Sequence, residues 1–136
     1  MDKYLNQNNV VARLLKEYYK YGTLIVAVDF DCTIFDYHNE GIHFDDVITL
    51  LQRCVERGMK LVIYTANQNH RLVSTHCENI GLKIEGINKQ LLTQFENRGK
   101  LYYNILLDDR AGLKSAYEAL AEAVSNLTFL RYNVEG

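Results

Sequence analysis

Two aspartates that follow an apolar run are the side chains best placed to do chemistry. Asp29 comes directly after residues 24–28, Leu-Ile-Val-Ala-Val, which are typical of a strand buried in a parallel sheet, and Asp31 comes two positions later. Side chains two positions apart on an extended chain point to the same side. Two carboxylates held that close repel each other unless a cation or a shared proton relieves the repulsion. A divalent metal with oxygen ligands would do so, and the pair therefore predicts a metal-assisted acidic site.

Further polar residues stand where later apolar runs end. In chain order they are Thr65, Ala66, Asn67, Asp108 and Asp109. Lys100 lies shortly before the last of these runs, and Lys83, Lys89 and Arg98 are rivals for the same cationic role. The carboxyl ends of parallel strands lie along one edge of a sheet, where the ligands of open α/β folds bind. We therefore expect four carboxylates, one hydroxyl and one ammonium group to converge at this edge.

Such a set suits the transfer of a phosphoryl group. One carboxylate can attack phosphorus as a covalent nucleophile, and a second can protonate the leaving oxygen and then activate water. Mg²⁺ bound by oxygen ligands neutralises phosphate charge, while ammonium and hydroxyl donors hold the remaining phosphoryl oxygens. Hydrolysis of a phosphomonoester is among the slowest uncatalysed reactions, so a densely charged site is expected.

The spacing of apolar residues predicts the elements that position these side chains. Helices are predicted over residues 8–20, 68–80 and 112–125, with a further helix capped by Asp45 and ending before Gly58. Strands are predicted over residues 24–30, 60–65, 82–87 and 104–107, with a final edge strand over 128–132, and residues 88–98 are expected to be helical. The alternation predicts an α/β fold with a three-layer, doubly wound parallel sheet of Rossmann-like form.

Length and composition indicate one domain of ordinary size. The 136 residues are expected to form a single unit, with an N-terminal helix in residues 1–22 and an α/β core over 24–132. The net charge of -2 gives no overall attraction to nucleic acid or an anionic membrane, although such a sum does not exclude a local basic cluster. The absence of an apolar signal and the three unpaired cysteines favour a cytoplasmic location with free thiols.

The residues of interest are, in chain order, the Asp29-Phe30-Asp31-Cys32-Thr33 sequence, Thr65, Lys100 and the Asp108-Asp109 pair. This ordered set resembles the haloacid dehalogenase (HAD) superfamily of phosphohydrolases. The resemblance covers residues 24–112, and each of its motifs falls at or near a predicted strand end. The short chain with an Asp-Asp-Arg triplet looks like small HAD proteins of bacteria and phages. It also looks like the phosphatase half of phage polynucleotide kinase.

The resemblance implies a role for each of these residues. Asp29 would be the nucleophile that forms an aspartyl-phosphate, and Asp31 would be the general acid and base, with its backbone carbonyl on Mg²⁺. Thr65, with Ala66 and Asn67 beside it, would bind the phosphoryl group, and Lys100 would steady that group and Asp29. Asp29 also binds the metal in such enzymes, and Asp108 with Asp109 would complete the Mg²⁺ site.

The implied activity is a Mg²⁺-dependent phosphatase without a cap domain. Residues 34–64 and 82–99 are too few to hold a cap besides the predicted elements, so an open site is expected. Its partner would be a phosphorylated substrate, such as a nucleotide, a nucleic-acid 3′-end or another phosphomonoester, with no membrane and with homo-oligomer formation left open. The chain departs from the family at Cys32, where glycine is usual and allows the chain to turn freely.

Two alternatives belong to other classes of protein. A response-regulator receiver is also a short α/β domain with an acid cluster, but its acid pair ends the first strand and its accepting Asp ends the third. Here the order is reversed, since the Asp-Asp pair comes last. A catalytically idle HAD-fold binding module is the other alternative, and the presence of all the motif residues argues against it.

Overall fold

The computed structural model describes residues 1–135, with side chains described over residues 1–127. Four helices and four strands alternate for most of the chain, with short 3₁₀ turns at Lys3–Leu5 and Thr93–Phe95. The helices are α1 (Gln7–Tyr21), α2 (Asp45–Glu56), α3 (His70–Asn79) and α4 (Leu113–Glu135). The strands are β1 (Ile25–Asp29), β2 (Lys60–Tyr64), β3 (Gly86–Ile87) and β4 (Ile105–Leu107).

The four strands form one parallel sheet in the order β3-β2-β1-β4. Strand β1 is central, and its register sets Asp29 beside Tyr64 of β2 and Val28 beside Leu107 of β4. All strands therefore end at the same edge, and the loops that leave this edge carry the predicted polar residues. The predicted α/β class with a parallel, Rossmann-like sheet is confirmed.

The two faces of the sheet are covered differently. Val26 and Val28 of β1 join a large cluster to which all four helices contribute buried side chains. Ile25 and Ala27 point to the other face, because side chains alternate along a strand. There they form a smaller cluster that is covered by residues of the segment 91–103. The sequence predicts helices on both faces, whereas the described helices pack into the first cluster and an irregular segment covers the second.

Two predicted elements are wrong. Residues 88–98 are mostly irregular, because Asn88 and Asn97 adopt left-handed backbone angles, with φ of 50° and 63°, that a helix does not accept. Residues 128–132 continue α4 instead of forming an edge strand. The buried stripe of α4 still runs through Val124 and Leu127, and no glycine or proline interrupts the helix.

Helix ends differ from the predictions only in detail. Gly22, with φ of 75°, ends α1 as expected. Phe44, and not Asp45, occupies the N-cap position of α2, while Asp45 and Asp46 lie in its first turn, where their charges suit the helix dipole. Among the described residues no helix, α4 included, combines the length and the apolar character that a membrane crossing requires.

Candidate active site

A tight turn follows β1 and carries the first predicted site residues. The carbonyl oxygen of Phe30 accepts hydrogen bonds from the backbone N–H groups of Ile34 and Phe35, each at 3.1 Å. The N–H of Cys32 donates to the carbonyl oxygen of Phe35 at 2.9 Å, and the φ of Cys32 is 63°. The turn thus folds the chain back immediately after Asp29, and Asp31 lies within it.

Three carboxylates meet where β1 and β4 end. One oxygen each of Asp29, Asp108 and Asp109 lies within 4.8 Å of the others, a spacing at which one cation could contact all three. Burial is the largest cause that raises the pKa of Asp29, from 3.8 to about 7, followed by a hydrogen bond to Asp109 and the charges of Asp108 and Asp109. The repulsion within the cluster is therefore relieved when Asp29 takes up a proton or when a cation binds.

Thr33 contacts Asp29 and Asp109 of this cluster through its hydroxyl, a role that was not predicted from the sequence. Its side chain is fully buried, and its hydroxyl accepts a hydrogen bond from the N–H of Asp109 at 3.2 Å. The same hydroxyl lies 3.4 Å from an Asp29 oxygen and 3.5 Å from an Asp109 oxygen, which are long hydrogen-bond distances. Thr33 therefore ties the end of β1 to the loop after β4. The position of a threonine in the motif is the signal that could have indicated this.

Asp31 opens onto the same pocket as the three clustered carboxylates. Its Oδ1 atom is buried and has no hydrogen-bond partner among the described residues, a state that costs free energy unless a proton or a ligand satisfies the atom. The pocket has a volume of about 330 Å³. Its lining comprises Asp29, Asp31, Cys32, Tyr37, His38, Thr65, Ala66, Asp108, Asp109 and Arg110. Four predicted carboxylates and Thr65 are thus in one pocket.

Asn88 holds Thr65 at the end of β2, and sequence reasoning gave no signal for this contact. The N–H of Thr65 donates to Oδ1 of Asn88 at 2.9 Å, and Nδ2 of Asn88 donates to the carbonyl oxygen of Thr65 at 2.8 Å. The hydroxyl of Thr65 accepts a hydrogen bond from the N–H of Asn67 at 3.0 Å. Because a hydroxyl has one proton and two lone pairs, Thr65 keeps its proton to donate toward a ligand.

Asn67 and Ala66 have different places in this loop. Ala66 lines the pocket, whereas Asn67 is absent from its lining. The Oδ1 of Asn67 accepts a hydrogen bond from the N–H of Asn69. Asn69 in turn caps α3, because its Oδ1 accepts a hydrogen bond from the N–H of Leu72. Asn67 therefore acts in the described structure as a turn residue that leads into α3.

The structure does not bring Lys100 to the acidic pocket. Lys100 is exposed and lines a groove with Phe95 and Tyr102 on the second face of the sheet, because the irregular segment before β4 runs along that face. Lys89 directly follows Asn88, whose side chain contacts Thr65. The aliphatic stem of Lys89 packs over Gly86. Of the four cations considered from the sequence, Lys89 is the one that adjoins a residue in contact with the pocket lining.

The loop after the first motif is ordered by Asp36. Its carboxylate accepts hydrogen bonds from the backbone N–H groups of Glu40, Gly41 and Ile42, at 3.0, 2.8 and 3.2 Å, and these bonds lower its pKa. This arrangement presents Tyr37 and His38 at the pocket, with their rings in edge contact at 5.0 Å. The loop therefore supplies one wall of the site.

Comparisons with known proteins give a fold and no function. No protein-family model and no curated protein matches the chain. A similar solved structure is that of a conserved protein coded by a locus from Bacteroides thetaiotaomicron, with a TM-score of 0.58 and 22% sequence identity. The match covers 76% of this chain and 91% of that one. At this identity the likeness supports the Rossmann-like α/β fold alone.

The geometry predicts that replacing Cys32 with glycine is tolerated. A non-glycine residue in the left-handed region costs about 1–2 kcal/mol, and the greater freedom of glycine in the unfolded chain costs roughly 0.5–1 kcal/mol. Cys32→Gly should therefore leave the free energy of unfolding unchanged or raise it by about 1 kcal/mol, as measured by urea denaturation. Burial and the charges of Asp109, Asp31, Asp29 and Glu40 raise the pKa of the Cys32 thiol, so it should stay protonated. A clear destabilisation by both Cys32→Gly and Cys32→Ala would instead assign the thiol a structural role.

The two hydrogen bonds of Asn88 should be measurable as stability. Asn88→Gly keeps the left-handed backbone but removes both bonds to Thr65, so the free energy of unfolding should fall by about 1–3 kcal/mol. Asn97→Gly is the matched control, because Asn97 also has a positive φ and its side chain makes no hydrogen bond among those described. The control should be neutral or slightly stabilising. Equal effects of the two substitutions in urea denaturation would show that the contact with Thr65 contributes nothing to the free energy of unfolding.

Proposed function

We propose that this protein is a Mg²⁺-dependent phosphatase of the HAD type that hydrolyses a phosphomonoester through an aspartyl-phosphate. One observation carries the proposal: four carboxylates and a hydroxyl with a proton to donate line one pocket at the carboxyl edge of a parallel sheet. The order of these residues along the chain supports it, because the family resemblance places the same residue types at the same strand ends.

The residues present fit a magnesium ion. Asp29, Asp108 and Asp109 would hold it with the backbone carbonyl of Asp31, since hard oxygen ligands are those that Mg²⁺ takes. The raised pKa of Asp29 supports this assignment, because a cation would favour the charged form that burial and its neighbours now disfavour. When bound, the ion supplies positive charge against the phosphate oxygens and against this carboxylate cluster.

The remaining steps belong to side chains of the chain itself. A carboxylate oxygen of Asp29 attacks phosphorus, the bond from phosphorus to the leaving oxygen breaks, and Asp31 gives that oxygen its proton. Asp31 then takes a proton from water as the water oxygen attacks the aspartyl-phosphate, which frees Asp29 and inorganic phosphate. Thr65 donates its hydroxyl proton to a phosphoryl oxygen throughout, and Asn88 positions Thr65.

The proposed enzyme lacks a cap domain. Between β1 and β2 the described chain holds the 36–43 loop and α2, and between β2 and β4 it holds α3, β3 and a 3₁₀ turn. The loop with Tyr37 and His38 then forms the outer wall of the site. An open pocket of this kind admits a nucleotide or the 3′-phosphate of a polynucleotide, and the HAD resemblance makes these the substrates to examine first.

Replacing the nucleophile tests both chemistry and the charge cluster. Asp29→Asn should lower turnover of p-nitrophenyl phosphate about a thousandfold or more, because an amide cannot form the phosphoenzyme. Since the folded-state pKa of Asp29 is raised from 3.8 to about 7, its ionisation lowers stability increasingly across that pH range. At pH 8 without metal, the variant should therefore melt at the same or a higher temperature than the parent. Added Mg²⁺ should raise the melting temperature of the parent more than that of the variant.

Two results would contradict the proposal. Turnover that survives in Asp29→Asn would exclude the mechanism, and Asp46→Asn, at an exposed position on α2, is the matched control that should keep activity. A phosphoenzyme of the parent that persists for hours would indicate a receiver-like signalling domain instead of a phosphatase.

Neither Lys89 nor Lys100 lines the acidic pocket, but Lys89 follows Asn88, which contacts Thr65, and we therefore expect Lys89 to serve the reaction. Lys89→Met keeps the aliphatic stem over Gly86 but removes the charge, and it should lower kcat/KM for p-nitrophenyl phosphate by about tenfold to a hundredfold. Lys100→Met, the matched change on the far face, should alter kcat/KM by less than about twofold. The reverse ranking would restore the assignment of Lys100 made from the sequence.

A further inference from the structure

A second concave surface lies away from the acidic pocket. Three adjoining grooves, of about 540, 430 and 310 Å³, are all lined by Tyr102. Tyr21 lines two of them and Phe95 lines two, so they form one continuous surface, which we call the basic-aromatic groove. It runs from the exposed side of α1 to the irregular segment on the second face of the sheet.

The charge of this groove is opposite to that of the rest of the chain. Its cations are Lys3, Arg13, Lys16, Lys20, Arg98 and Lys100. Among the described residues, Glu17 is the one acidic residue that lines the groove. Its carboxylate forms an ion pair with Arg13 at 2.8 Å and accepts a hydrogen bond from Nδ2 of Asn104 at 3.0 Å. The whole chain has 15 Lys and Arg and 17 Asp and Glu, so the residues outside the groove together carry a strongly negative charge. Such segregation is the electrostatic footprint of a polyanion site.

Aromatic rings alternate with these cations. Tyr4 and Tyr21 are 53% and 63% exposed, and the ammonium groups of Lys3 and Lys20 lie 5.4 and 5.2 Å from their ring centroids. Phe95 stacks on Tyr102 with parallel rings 5.2 Å apart, and 37% of Phe95 is exposed. An acidic peptide would use the charges alone, whereas the bases of a single strand also stack on exposed rings. A duplex keeps its bases stacked on one another and offers no base face to these rings.

The groove lies at the opposite end of β1 from the acidic pocket. Asn104 and Ile25, which line it, are joined by a hydrogen bond from the N–H of Ile25 at the start of β1, whereas Asp29 ends that strand. A ligand in the groove is thus held by residues that take no part in the proposed hydrolysis.

We propose that the basic-aromatic groove binds single-stranded nucleic acid, with phosphates on the lysines and arginines and bases on Tyr21, Phe95 and Tyr4. This inference goes beyond the proposed phosphatase activity and does not depend on it. The net charge of the whole chain is negative although the groove is positive, because the negative charges on the other surfaces exceed the positive charge of the groove.

Fluorescence anisotropy of a labelled, unphosphorylated 12-mer of deoxythymidine in EDTA tests the proposal without involving the acidic pocket. The affinity of the full chain should fall as salt rises, with a slope of log K on log salt near -3 for about four phosphate contacts. Reversing two charges in Lys16→Glu/Lys20→Glu should make this slope shallower by about one to two. Tyr21→Ala should weaken binding at least about fivefold through lost stacking.

Matched controls decide whether the binding is local to the groove. Tyr19→Ala removes an exposed tyrosine from the same helix, and Lys83→Glu reverses an exposed lysine elsewhere; neither residue lines the groove, and both variants should bind as the parent does. Circular dichroism of every variant checks that it is folded. No binding of the oligonucleotide would overturn the proposal. Equal weakening by the controls, or tighter binding of poly-glutamate or of anionic vesicles, would also overturn it.

Discussion

The candidate site depends on one constraint, which is that the sheet holds three carboxylates together against their mutual repulsion. Asp29, Asp108 and Asp109 approach within 4.8 Å because β1 and β4 are neighbours in a parallel sheet and end at the same edge. The backbone hydrogen bonds of the sheet and the buried residues beneath it fix the strand ends, and these strand ends keep the backbones of the three acids close together. Burial, followed by the hydrogen bond and charges of the neighbouring acids, raises the pKa of Asp29, and a proton or a cation would relieve this cost.

Two neutral side chains convert this constraint into a defined site. Thr33 links the strand end at Asp29 to the backbone of Asp109, and Asn88 fixes both backbone groups of Thr65. The bonds between Asn88 and Thr65 and the bond from the N–H of Asp109 to Thr33 join neutral groups, so they do not depend on the charge of the cluster. The contact of the Thr33 hydroxyl with the Asp29 carboxylate does depend on it. The neutral bonds therefore hold Thr65 and the backbone of Asp109 in place in either charge state, which is the preorganisation that the proposed phosphoryl transfer would require.

The sequence predicted the four strands of the sheet and the four carboxylates because these follow from local patterns, whereas it wrongly predicted a fifth strand over 128–132. A run such as residues 24–28 is long and apolar enough to indicate a buried strand, and a parallel sheet brings the ends of its strands together. Lys100 does not line the acidic pocket, because residues 88–98 do not form the expected helix and the segment before β4 runs along the second face of the sheet. Left-handed residues such as Asn88 leave no distinctive pattern in one sequence. The contact of Asn88 with Thr65 spans 23 positions, which no local periodicity encodes.

The irregular segment before β4 links the two sites that the structure suggests. Since a loop in place of a helix covers the second face, Phe95, Tyr102 and Lys100 can lie at the surface, where a packed helix would bury its apolar side. The same segment begins at Asn88, which holds Thr65 in the acidic pocket. One departure from the expected fold thus places Lys100 in the basic-aromatic groove and not in the acidic pocket. The proposed phosphatase site and the proposed nucleic-acid groove thus lie at opposite ends of β1, and both would bind phosphate groups.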